Sequence, residues 1–401
     1  MKKKLEILVY HLGYGGIEKA VSSLVEVLKN DYEISILSFY RLYNQPVFAI
    51  DSKIPIRYLY ETDVPLKVKK YNQLIKKKQI GKLLQVLWND YGKGFHFLTF
   101  FHDLFYSIQI YFLKGRFRRL KQHLKKSDAH IFLSTRQEIS SYLVKYGNKS
   151  SLKIGWEHNH HHGDERYKQA VIRGSEHLDY LVVVSRMLTK DYQRALSLSR
   201  CRPVYIPNMI DNDLSFVSDY KEPRILMVGR LEAEKGLFDA IDVAKRMQER
   251  MVKFHLDIVG DGPLRADLEK IIFEKNLGDY VTIHGFQNHD YIEQLYRHAS
   301  LYLMTSFTES FGLVLVEAMN AGIPCLAFSS AEGACELIQD DYNGYLIHER
   351  DIQQMSQQII SLLGDYEKLK VLGKNSKMYS KNFLPYSIRV MWKQMIDGGN
   401  S

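Results

Sequence analysis

The sequence predicts an α/β protein of two doubly wound domains, each a parallel sheet flanked by helices. Three observations carry that expectation. The 401 residues are enough for two domains of about 200 residues each. Strand-length apolar runs alternate with helical periodicity along most of the chain. Twice, such a run is followed by a glycine-bearing turn and an amphipathic segment, first over 5–20 (LEILVYHLGYGGIEKA) and again over 225–236 (ILMVGRLEAEKG).

In order, Leu5–Tyr10 reads as a buried first strand, followed by a helix to about Asn30 and a second strand in YEISILS (32–38). Gly13, Gly15 and Gly16 lie between the first strand and its helix. They invite a dinucleotide reading, but Glu18 replaces the third glycine of GxGxxG. The second strand runs into Ser38-Phe39-Tyr40, with no acidic residue to hold a ribose, which argues against a nicotinamide enzyme. A further strand is expected over 54–60 (IPIRYLY). Residues 67–126 then hold 15 basic and 2 acidic residues. Tyr71, Leu74, Ile75, Leu83, Leu84 and Leu87 recur there at roughly helical spacing with lysines between them, as in an interfacial amphipathic helix. The aromatic run over 95–113 contains Asp103, which argues against a bilayer span. A helical hairpin with one face on a membrane surface is expected instead, and no nucleic-acid module is recognised.

The sheet resumes at DAHIFLS (128–134) and at SLKIGWEHN (151–159), whose end forms a loop at Trp156-Glu157-His158-Asn159. His160, His161 and His162 follow, but consecutive histidines do not converge on one ion, so no metal site is expected. After a strand at 179–188, Pro207 marks the boundary. The expected domains are 1–205, 206–384 and a returning terminal helix over 385–401. The second domain contributes strands near 225, 255, 281, 301 and 325, and helices over 351–380.

Composition limits the function classes. The hydrophobic fraction is 45% and the charged fraction 25%, as in ordinary soluble globular proteins. Three cysteines without CxxC spacing fit a reducing compartment. MKKKLEILVY lacks the length and cleavage site of a signal peptide, so a cytoplasmic protein is expected. The net charge of +9 divides into +17 over 1–205 and −8 over the remainder, which points to an anionic partner for the first half.

The stretch 305–324 (TSFTESFGLVLVEAMNAGIP) carries the chemistry. Glu309 falls on a loop before a predicted helix, and Glu317 about two turns into it. Backbone N–H groups at a helix start bind phosphate, and Gly312 lets a ligand approach them closely. The result is an anion cradle between two carboxylates.

This Glu–seven–Glu pair around SFG, followed by EAMNAGIP, resembles the donor-site signature of family 4 retaining glycosyltransferases. GGIEK is similar to that family's first-domain loop, PNMID to its entry into the second domain, and GDGP to its second-domain turn. The resemblance implies the GT-B fold, two Rossmann-like domains facing a cleft. It implies transfer from a nucleoside-diphosphate sugar, a UDP-sugar above others, with retained anomeric configuration and no metal cofactor. Asp211-Asn212-Asp213 has DxD spacing but lies at the domain boundary. By resemblance, Arg230 and Lys235 neutralise the diphosphate, with backbone groups at Ser310, Phe311, Gly312 and Leu313. Glu317 holds the ribose, Glu309 the sugar hydroxyls, and His158 touches the sugar. Gly15 and Gly16 approach donor and acceptor, Asn208 lies at the domain entry and Phe286 lines the base. The implied acceptor is a lipid-linked or polymeric glycan of surface polysaccharide or teichoic-acid-type synthesis. Separately, the basic amphipathic region over 67–126 leads us to expect peripheral association with anionic lipid at the inner face of the membrane. The alternative is an inactive GT-B partner subunit.

Overall fold

The computed structural model describes residues 2–61, 82, 117–161 and 163–398. Most of the basic stretch over 67–126, and with it the expected membrane-facing hairpin, lies outside them, as does His162.

The chain opens with β1 (Lys4–Val9), α1 (Gly16–Leu28), β2 (Glu33–Tyr40) and β3 (Ile56–Tyr60). It continues through α2 (Arg118–Leu124), β4 (Ile131–Ser134), α3 (Gln137–Tyr146) and β5 (Leu152–Glu157). Then come α4 (Glu165–Ser175), β6 (Tyr180–Val183), α5 (Arg186–Ala195) and β7 (Arg202–Tyr205). These strands form one sheet in the order β3-β2-β1-β4-β5-β6-β7. The strands are nearly continuous apolar runs because helices cover both faces of such a sheet; in β1, Leu5, Ile7, Leu8 and Val9 are all buried. Helix α1 follows because Val21, Leu24, Val25 and Leu28 repeat at helical spacing, and all four are buried.

The second sheet is built from β8 (Arg224–Val228), α6 (Leu237–Glu249), β9 (His255–Val259), α7 (Arg265–Glu274) and β10 (Val281–Gly285). It continues with α8 (His289–His298), β11 (Leu301–Met304), α9 (Leu313–Asn320), β12 (Cys325–Phe328), α10 (Glu332–Leu337) and β13 (Gly344–Ile347). The order is β10-β9-β8-β11-β12-β13, all parallel. Helices α11 (Ile352–Leu363), α12 (Tyr366–Ser380) and α13 (Pro385–Asp397) close the described chain. The fold is the expected doubly wound α/β architecture, twice over. Contacts divide it into two compact units: Met1–Glu157, Arg166–Val182 and Gln193–Pro203 form the first, and His158–Glu165, Val183–Tyr192 and Val204–Ser401 the second.

In each sheet the strand order reverses direction at one point, between β1 and β4 and between β8 and β11. Connections leaving the two strands there run to opposite faces and open a crevice at the carboxyl ends, where ligands bind in such folds. One element differs from the sequence reading. Gly312 caps α9, which begins at Leu313, so Glu317 stands little more than one turn in, not two. The glycine's φ of 87° ends the loop abruptly and starts the helix later, closer to Glu317, than periodicity alone indicated.

Candidate active site

The crevice between β8 and β11 brings Arg230 and Lys235 to one place. A cavity of about 30 Å³ is lined there by Val228, Gly229, Arg230 and Lys235 from the β8 side and by Met304, Thr305 and Ser306 from the β11 side. Its floor is fixed by Tyr302, whose hydroxyl donates to the Val228 carbonyl at 3.1 Å and accepts from the Val228 N–H at 3.2 Å. Burial holds the Tyr302 phenol well above its ordinary pKa, so it remains a neutral donor.

Lys235 ends a short 3-10 turn (Ala233–Lys235), and its Nζ donates to Glu309 Oε2 at 2.7 Å. The pair joins residues 74 positions apart across the crevice. Arg230 is two-thirds exposed and reaches Glu232 at 2.7 Å and Glu234 at 3.2 Å. The backbone holds the two loops together as well. Phe307 N–H donates to Glu234 O at 2.8 Å, and Thr305 Oγ1 donates to Lys235 O at 3.0 Å. Gly236 has φ 60°, and a Cβ built there falls 2.0 Å from the Thr305 carbonyl oxygen. Only glycine allows that approach.

Beyond the ion pair, Ser310 to Leu313 lead into α9. Ser310 Oγ accepts the His160 N–H at 2.9 Å. The loop that follows β5 therefore meets the loop that precedes α9, and His158, at its start, is 8% exposed. Phe311 is buried, with its ring edge-on to Phe383 at 5.7 Å. The Glu309 carbonyl accepts from Gly333 N–H at 2.7 Å. Phe286, just past β10, is 76% exposed. Asn208 is half-buried, and its Oδ1 lacks a hydrogen-bond partner. Gly15 and Gly16 lie on the first unit at the start of α1, where Glu18 folds over Gly15. Among the described residues, no group of three or more His, Cys, Asp or Glu is arranged to hold a metal ion.

Sequence reasoning missed Arg350. Its guanidinium bonds Asp239 in the first turn of α6, the Thr305 carbonyl at 2.8 Å, the Ser306 carbonyl at 3.0 Å and Ser330 Oγ at 2.7 Å. It also lies 3.8 Å from the Phe307 ring centroid. One side chain thus ties the β11 loop to the helix that follows Lys235. No local pattern marks it, since Asp239 is 111 positions away. Glu336 was missed for the same reason. It accepts the Arg186 N–H at 2.7 Å, the Met187 N–H at 3.0 Å and the Ser185 hydroxyl, capping α5 from 150 positions away.

Comparison with known proteins agrees with this geometry. Residues 212–379 match the family model described as glycosyl transferases group 1. The chain is 25% identical over 406 residues to an alpha-1,4-N-acetyl-D-galactosaminyltransferase of Campylobacter jejuni, with 98% of each covered.

Over residues 212–379 the chain is a group 1, family 4-like glycosyltransferase.

The chain is also 24% identical, over 95% of its own length, to an exopolysaccharide phosphotransferase of Streptomyces coelicolor, of which it spans only 39%. Several other curated relatives are likewise matched over a third to a half of their length. Its fold superimposes on the Anabaena protein HepE, solved in complex with UDP and glucose, with a TM-score of 0.70. That alignment covers 99% of this chain and 100% of HepE at 17% identity, and it shows the GT-B fold of this glycosyltransferase.

Proposed function

We propose that this protein transfers a hexose or N-acetylhexosamine from a UDP-sugar, with retention of anomeric configuration, to a membrane-associated glycan acceptor in cell-surface polysaccharide or teichoic-type synthesis. The observation that carries the reading is the Lys235–Glu309 pair at the mouth of the β8/β11 crevice, with Arg230 beside it and the α9 N-terminus beyond. Two cations and free amide N–H groups are what a departing diphosphate needs, because the charge on the leaving oxygen grows as the glycosidic bond breaks. Arg230 and Lys235 stabilise that charge. Glu309, oriented by Lys235, receives sugar hydroxyls, and Glu317 takes the ribose. His158, on the loop whose His160 N–H reaches Ser310, contacts the sugar. UDP in a solved protein of the same fold and the undecaprenol-linked glycan in the name of the Campylobacter relative support donor and acceptor class.

The test is release of UDP from a panel of UDP-sugars by wild type, Arg230→Ala and Lys235→Ala, with circular dichroism to check the fold. Each substitution is expected to lower turnover about 100- to 1,000-fold. Unchanged turnover in both variants overturns the reading. The anomeric configuration of the product, read by NMR, tests retention.

A further inference from the structure

The first unit presents two exposed aromatic rings where few are expected. Tyr14 is 68% exposed and Tyr43 48% exposed. Their rings meet edge to face, with centroids 5.9 Å apart and an interplanar angle of 89°. Tyr14 lies on the turn after β1, and Tyr43 on the loop after β2, so both stand at the carboxyl ends of adjacent strands. The loop is fastened to the turn by the Val47 N–H, which donates to Leu12 O at 3.0 Å. A Cβ at Gly13 falls 3.0 Å from the Tyr43 ring, so the missing side chain lets that ring lie against the turn. The perpendicular pair makes a corner, with one ring as floor and the other as wall. Neither ring gains much for folding while so exposed; ordered aromatic surface beside polar groups is a mark of ligand sites.

A carboxyl group folds over the same turn, at the glycine that follows Tyr14. The Glu18 side chain is 8% exposed and folds over Gly15. Its Oε1 lies 3.3 Å from His11 Nδ1, which also accepts the Gly13 N–H at 3.3 Å. Arg136 acts on both groups electrostatically and lies over the Tyr10 ring. A flat apolar floor with a hydroxyl-binding carboxyl at its edge matches a pyranose ring, which has one C–H face and a rim of hydroxyls. A phosphate end group offers no such face, and the Glu18 carboxyl repels it when ionised.

We propose that Tyr14 and Tyr43 form the platform on which the terminal pyranose ring of the acceptor stacks, with Glu18 beside it to bind ring hydroxyls. The inference rests on the transferase reading above and specifies its acceptor as a sugar end.

The experiment is saturation-transfer NMR on the full chain with methyl pyranosides of glucose, galactose, N-acetylglucosamine and N-acetylgalactosamine, and with glycerol 3-phosphate as the contrasting probe. Wild type is expected to saturate ring C–H protons of at least one pyranoside and not glycerol 3-phosphate. Tyr14→Ala/Tyr43→Ala is expected to weaken that binding by about tenfold or more, while Tyr14→Phe/Tyr43→Phe retains it. If the double alanine variant fails to fold, Tyr14→Ala alone carries the comparison, since that ring is the more exposed. Absence of pyranoside binding by wild type, unchanged binding by the folded alanine variant, or preference for glycerol 3-phosphate overturns the platform. The two readings fail separately. Pyranoside binding without turnover of any UDP-sugar removes the transferase and leaves the platform. Turnover whose acceptor KM is the same in the alanine variant removes the platform and leaves the transferase.

Discussion

Arg230 is not idle without a ligand. Glu232 and Glu234 hold its guanidinium at 2.7 and 3.2 Å, the positions a diphosphate oxygen would take under the proposed reading. Exposed pairs of this kind contribute roughly 0.2–1 kcal/mol each. Glu232→Gln/Glu234→Gln is therefore expected to lower the donor KM about threefold at low ionic strength, with the difference shrinking in salt. Glu18 gives a second residue-scale expectation. Burial is the largest influence and raises its carboxyl pKa above the ordinary value of 4.5. The folded state then binds the proton more tightly than the unfolded state, so stability falls as pH rises from 4.5 through the raised pKa. Glu18→Gln removes that cost. Urea unfolding is expected to show the variant more stable than wild type above the raised pKa and little different below 4.5. Residues of this kind were legible where their partners are near in sequence or where a motif carries them. Glu309, Gly312 and Lys235 belong to recognisable runs. Arg350 and Glu336 do not, because they act on residues from tens to more than a hundred positions away.

At the scale of elements, the strand–turn–helix repeats were legible because strands buried on both faces are written as unbroken apolar runs and helices as 3.6-residue periods. The length of α9 before Glu317 was not, since a left-handed glycine sets the helix start and composition does not place it. The joint between the loops that follow β8 and β11 was not legible either, and there Arg350 is the element-scale residue to test. It sits at φ 53° and binds the loop after β11 through main-chain carbonyls and α6 through Asp239. Arg350→Ala leaves Asp239 without its cation and those carbonyls without a donor. Urea denaturation is expected to show a loss of about 2–4 kcal/mol. Arg350→Lys keeps the charge but not the planar fork, so it is expected to restore only part of the loss. Added guanidinium at millimolar concentration is expected to recover UDP affinity in the alanine variant more than methylammonium does.

Across the whole molecule, charge is divided as unevenly as the sheets are alike. The +17 of residues 1–205 is concentrated over 67–126, and of that stretch the described part includes α2, where Arg118 and Arg119 are exposed, and Lys125 and Lys126, also exposed. None of the described helices is long and apolar enough to cross a membrane. The proposed docking is electrostatic, with each basic residue near an anionic surface contributing about 1 kcal/mol. Sedimentation with phosphatidylserine vesicles is expected at 50 mM salt and to weaken strongly at 300 mM; failure to sediment at the lower concentration contradicts it. Reversible docking of this sort would let one enzyme visit many acceptor molecules on a surface.

Gly236 has a consequence for how such a protein can change. Where the Thr305 carbonyl occupies the place of a side chain, the gap between the lysine and the glutamate is set by main chain against main chain. Exchanging neighbouring side chains other than Arg350 leaves that main-chain contact in place. Under the proposed reading, sugar preference can then be retuned by substitutions around the crevice while that main-chain contact stays constant, and a single methyl group at 236 would undo it.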